Sequence, residues 1–276
     1  MTTAGDVGVN RAAGRQLNLS SAVLALAVLA DSGLEHYRGS FRNRAMYLPL
    51  ASAGLTLAGS LFGVADSRGK GHGVREAIYA GAAATGLAGL GFHAYNILKR
   101  PGGLSWLNLF YAAPVGAPAA LSLAGIIGGV AERLRDQPDG SGSAALGRAL
   151  AGLTATALAG TTGEAGLLHF RGAYHNPAML APVALPPVAA ALLGAAATAP
   201  GPRVSRLARW WLKLTAFLGL AGTGFHAYGV SRAMGGWRNW SQNLLNGPPL
   251  PAPPSFSGLA LAGLAALALI EAGRDG

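Results

Sequence analysis

The chain of 276 residues contains no cysteine. That absence excludes disulfides, iron–sulfur clusters, cysteine-ligated zinc and covalently attached c-type haem. Charge is the second scarcity. Asp, Glu, Lys and Arg supply 12% of the residues, where soluble domains carry about a quarter. Acids are the scarcest, with 11 Asp and Glu against 21 Lys and Arg, for a formal net charge of +10. With 51% hydrophobic residues and a mean hydropathy of +0.36, too few polar groups remain to cover a globule in water. A soluble enzyme is therefore not expected. Nor does the basic excess indicate nucleic acid, because Lys and Arg fall between apolar stretches instead of forming a basic groove.

What is present in quantity is Ala, Leu and Gly, arranged in apolar runs of about 18 to 25 residues, the length that crosses a hydrocarbon core of roughly 30 Å. Eight such runs are read at 17–37, 45–65, 77–98, 109–130, 144–170, 178–199, 207–230 and 255–272. Their composition favours helices over a membrane barrel. The expected fold is an all-α integral membrane protein with eight transmembrane helices. Lys and Arg divide thirteen to eight between the two sides, with the excess on the side of both termini. The positive-inside rule then makes both termini cytoplasmic, and the Ala/Gly/Arg-rich composition points to a bacterial inner membrane.

The sequence also repeats itself. Residues 36–49, HYRGSFRNRAMYLP, match residues 169–182, HFRGAYHNPAMLAP, at seven of fourteen positions. At the same offset of 133 residues, LAGLGFHAY at 87–95 matches LAGTGFHAY at 220–228 at eight of nine. Two ungapped matches in one register indicate an internal duplication. The expected organisation is a cytoplasmic segment 1–16, a four-helix repeat 17–135, a linker 136–143 (DQPDGSGS) and a second four-helix repeat 144–276. Four helices per copy give both copies the same membrane topology, so the repeats are parallel. The first run is equivalent to the fifth, which cannot be a secretory signal, so the first is retained.

The repeat aligns four histidines, His36, His93, His169 and His226, near the C-terminal ends of odd-numbered helices and so toward the non-cytoplasmic face. Asp31 matches Glu164, five residues before a histidine. Arg38 matches Arg171, two residues after one. Glycine runs accompany the other pair: Gly86, Gly89, Gly91 and Gly219, Gly222, Gly224. With cysteine absent, any redox metal must be held by histidine. One reading is haem b with two histidines per half, pairing His36 with His93 and His169 with His226 across the diagonal of each four-helix unit. On that reading Arg38 and Arg171 bind propionates, the acids orient an imidazole or relay protons, and electrons pass to or from a quinone or a partner subunit. The layout is similar to that of haem A synthase, which has eight helices in two halves with paired haem-ligating histidines. There the ligands stand on even-numbered helices.

Other readings stand beside it. Histidines at helix C-termini suit the membrane interface, and small residues pack membrane helices. Asp31 and Glu164 at half-buried depth also fit a proton or ion pathway in a transporter or channel. A non-catalytic anchor subunit of a membrane complex is a third class. A non-haem metal site is disfavoured, because five residues of helix set Asp31 and His36 about 140° apart. Three further segments have plain expectations: 69–73 (GKGHG) as a cytoplasmic turn, 203–213 and 235–240 as interfacial anchors, and 248–254 (PPLPAPP) as a stiff loop.

Overall fold

The computed structural model describes residues 8–66, 71–111, 115–135, 137 and 143–275. It is 87% helix, with no strand among the described residues. The long helices are α1 Val9–Arg38, α2 Leu48–Ala65, α3 His72–Leu98, α5 Gly116–Arg135, α6 Ser143–Arg171, α7 Ala181–Thr198, α8 Pro202–Arg232 and α10 Pro254–Asp275. Two short helices, α4 Trp106–Tyr111 and α9 Trp240–Asn246, lie between them. Five of the long helices, α1, α2, α5, α7 and α10, are apolar enough over their length to cross a membrane. The other three, α3, α6 and α8, dilute their Ala and Leu with Gly, Thr, His and end charges.

The fourth apolar run departs from expectation. Residues 109–111 belong to α4, and the long helix starts only at Gly116, with Pro118 in its first turn. A proline there costs nothing, since the first-turn N–H groups have no helical partner. At its other end the helix continues past residue 130 and takes in Glu132, Arg133 and Arg135, residues expected in a loop. The linker expected at 136–143 lies mostly outside the described residues, as do residues 69–70 of the expected turn and Pro114.

Packing follows two rings of four antiparallel helices. In one, α1 meets α2, α2 meets α3, α3 meets α5 and α5 returns to α1; in the other, α6, α7, α8 and α10 do the same. Close approach depends on glycine at matched places. A side chain on Gly86 of α3 would collide with Ser122 N and Pro118 O of α5, and one on Gly219 of α8 with Ser257 Oγ and Pro253 O of α10. Likewise a Cβ on Gly14 would stand 3.1 Å from Ala131 O, and one on Gly147 2.9 Å from Ala266 O. These matched glycines stand 133 residues apart on α1 and α6 and on α3 and α8, and the atoms they meet on α5 and α10 stand 135 apart.

The rings join mainly through α1 and α10, whose buried seam includes Leu17, Leu24, Leu259 and Ala262. Ser20 Oγ donates to Gly258 O at 2.7 Å and Gln16 Nε2 to Leu261 O at 2.8 Å. By contrast, α5 and α6 scarcely touch. Large apolar side chains such as Phe92, Tyr95, Phe217, Phe225 and Tyr228 remain exposed on the outer faces of α3 and α8. In water such a surface is costly; in lipid it is ordinary.

Candidate functional site

The histidine end is built from a corner that occurs twice. After α1 ends at Arg38, Ser40 and Phe41 take positive φ angles of 57° and 45°; after α6, Ala173 and Tyr174 take 55° and 47°. Non-glycine residues seldom adopt this region, and such strain collects at functional sites. The Asn43 side chain then accepts from Ala45 N, and Asn176 from Ala178 N, each at 2.9 Å, starting short 3-10 turns. Those turns aim one carbonyl back at each histidine. His36 Nδ1 lies 2.7 Å from Met46 O, and His169 Nδ1 lies 2.7 Å from Met179 O.

A carbonyl oxygen only accepts, so Nδ1 of each ring must carry the proton. The neutral imidazole is thereby fixed with its lone pair on Nε2, the arrangement that orients a metal-ligating histidine. His226 on α8 is set the same way, with Nδ1 2.7 Å from Pro249 O in the proline-rich loop. The sequence places these three imidazoles at one end of the bundle, and the structure gives them one tautomer. His169 and His226 also meet: their ring centroids are 6.5 Å apart and their planes 65° apart. They come from α6 and α8, which share no side of the ring and so lie on its diagonal. His93 stands at the corresponding place on α3, half-buried.

The neighbouring charged groups are engaged across the two rings. Glu164 on α6 accepts from Gly116 N at 2.9 Å, so its carboxylate sits on the N-terminus of α5, where the helix dipole favours an anion. Arg171 donates to Leu109 O at 3.4 Å and lies 5.2 Å from the Phe110 ring. Arg38 pairs with Glu35 at 3.0 Å and donates to Leu245 O of α9. Each arginine therefore reaches from the end of its own helix to the short helix of the other ring. Asp31 is half-buried in α1 at the level that matches Glu164.

The glycine runs beside the histidines divide in two. Gly86, Gly89, Gly219 and Gly222 are needed for the approach of α5 and α10, where Ser122, Pro118, Ser257 and Pro253 occupy the space a Cβ would take. Gly91 and Gly224 face open space. Among the described residues no group of three or more His, Asp or Glu side chains could hold a metal ion.

A second constellation, at the opposite end of the first ring, was not expected from the sequence. Glu132, fully buried on α5, takes Arg75 Nη2 at 2.7 Å, His72 Nδ1 at 2.9 Å and Asn18 Nδ2 at 3.2 Å. Arg75 also reaches Asp66 at 3.2 Å, and Arg135 approaches both Asp66 and Glu132 at 3.6 Å. Tyr79 donates to Asn18 Oδ1 at 2.6 Å, and Ser60 donates to Ser21 Oγ at 2.9 Å. His72, expected in a loop, opens α3 and joins this cluster.

Seven of the matched places in the second ring are apolar. Ala151 stands for Asn18, Leu193 for Ser60, Ala199 for Asp66, Ala208 for Arg75, Leu212 for Tyr79, Leu267 for Glu132 and Ile270 for Arg135. The equivalence is physical: Tyr79 packs on Gly128 where Leu212 packs on Gly263. Thr154 and Ser205, in the places of Ser21 and His72, keep buried hydroxyls without a hydrogen-bond partner among the described residues. Comparing the two halves position by position is the signal that would have found this cluster.

No family profile, curated protein or solved structure matches this chain.

Proposed function

We propose that the protein is an integral membrane haem b carrier of eight spans in two parallel four-helix repeats, passing electrons to or from a quinone or partner subunit. The observation that carries this reading is the His169–His226 pair. An imidazole nitrogen ligates a metal at about 2.0–2.1 Å. The two rings, with centroids 6.5 Å apart, would hold a haem iron through their Nε2 atoms, and the iron would supply one-electron transfer. Both rings have Nδ1 tied to a carbonyl and Nε2 without a hydrogen-bond partner among the described residues. His36 has the same tautomer, and with His93 on α3 it would form a second site in the first half.

The basic end of the bundle, with both termini, faces the cytoplasm of a bacterial cell, and the histidine end faces away. An ion pathway through Asp31 and Glu164 has less support. Glu164 is held on a helix terminus, and the α1–α10 seam between the halves is filled by buried Leu and Ala.

Absorption spectroscopy tests the reading. Protein purified in mild detergent from haem-replete cells should show a Soret band, with reduced α and β bands of a six-coordinate b haem. His169→Ala and His226→Ala should each lose that site, and His36→Ala should lose only the other. A colourless wild-type protein that also fails to take up added hemin would end the proposal.

A further inference from the structure

The end of the bundle opposite the histidines carries a groove of about 630 Å³ between α1, α2 and α10, lined by Arg11, Arg15, Leu19, Val64, Leu261 and Leu264. Its character changes along its length. Arg11, Arg15 and Leu19 follow one another at spacings of four on α1, so they share one face. From Arg11 to Leu19 that face descends about 12 Å. Both arginines are exposed at the outer end of the helix, while Leu19 begins the apolar wall. Val64 near the end of α2 and Leu261 and Leu264 on α10 complete that wall. Gln16 sits in the floor with its amide committed to Leu261 O at 2.8 Å. The arginines have no acid partner among the ion pairs of the described residues.

We infer that this groove is a binding site for one anionic phospholipid, its phosphate on Arg11 and Arg15 and an acyl chain along Leu19, Val64, Leu261 and Leu264. The inference rests on the membrane reading and is independent of haem. Two guanidinium groups at headgroup level supply donors with the geometry of a phosphate. An apolar wall directly below them accepts a hydrocarbon tail and would be idle for a soluble anion. The groove lies where the first helix meets the last, so the lipid bridges the two repeats. The second hollow at this end, lined by Pro202, Arg206, Arg209, Glu271 and Arg274, has its acid paired with Arg209 and lacks such a wall.

Native mass spectrometry of the purified full chain tests it, with phosphatidylglycerol or phosphatidylcholine titrated into the detergent. Wild type should retain one phosphatidylglycerol through collisional activation that strips phosphatidylcholine. The double variant Arg11→Gln/Arg15→Gln should lose about tenfold in retention, whereas Arg232→Gln/Arg238→Gln, at the other end, should not. Val64→Trp keeps both arginines but fills the wall, and should lose the same lipid. Equal retention of the two lipids by wild type, or undiminished phosphatidylglycerol in both groove variants, would overturn the site. Extraction of the chain from membranes by alkaline carbonate would instead overturn the membrane reading itself, so the two failures are distinct.

Discussion

Glu132 lies at the centre of the charged cluster in the first ring, at a place matched by Leu267 in the second. It is fully buried and contacts Arg75, His72, Asn18 and Arg135. Removing one member of a buried ion pair leaves the other charge uncompensated, typically at about 3–5 kcal/mol. Glu132→Ala should therefore lower the thermal midpoint in detergent strongly. Replacing seven members of the cluster with the residues at the matched places of the second ring should not: Asn18→Ala, Ser60→Leu, Asp66→Ala, Arg75→Ala, Tyr79→Leu, Glu132→Leu and Arg135→Ile together should fold at near wild-type stability. Buried ionic groups are often replaced by well-packed apolar ones without loss. If the sevenfold variant melts as low as the single one, the two rings are not interchangeable in this way. The sequence concealed this cluster because Glu132, Arg133 and Arg135 read as loop charges beyond an apolar run. Only a buried neighbour on another helix distinguishes a loop charge from a core one. His36 and His169 were more legible, since the match of 36–49 with 169–182 already marked a repeated segment. The carbonyl that fixes each tautomer comes from ten residues away, beyond the reach of a local pattern.

Among the elements, α3 and α8 carry glycines with two different uses. Gly86 and Gly219 let α5 and α10 approach, and backbone atoms occupy the site of any added Cβ. Gly86→Ala should then cost about 1–3 kcal/mol, the usual cost of overpacking. Gly91→Ala, into open space, should change stability by less than about 0.5 kcal/mol. Parallel thermal melts of the two variants check the contrast, and equal losses would refute it. The glycine pattern itself could not separate a helix neighbour from a cofactor face, because either one favours a missing side chain. Apolar runs marked the all-helical class, and five of the long helices among the described residues are apolar enough to cross a membrane. The break between α4 and α5 was not legible in them, because Leu109 to Tyr111 is as apolar as the start of α5.

At the scale of the whole molecule, the two rings are joined unevenly. α1 packs along α10, whereas α5 and α6 are linked by the Glu164 carboxylate on Gly116 N. The antiparallel seam of α1 and α10 brings the start of one helix beside the finish of the other. The path of the backbone is therefore close to a closed loop, and the order in which the halves are translated is not dictated by the packing. A circular permutant opened between residues 135 and 143, with a short flexible tether from 275 to 8, preserves every helix pair described above. It should insert and melt like the parent, as measured by carbonate resistance and thermal midpoint. Failure to insert would mean that the order of synthesis, and not packing alone, sets the arrangement of the halves.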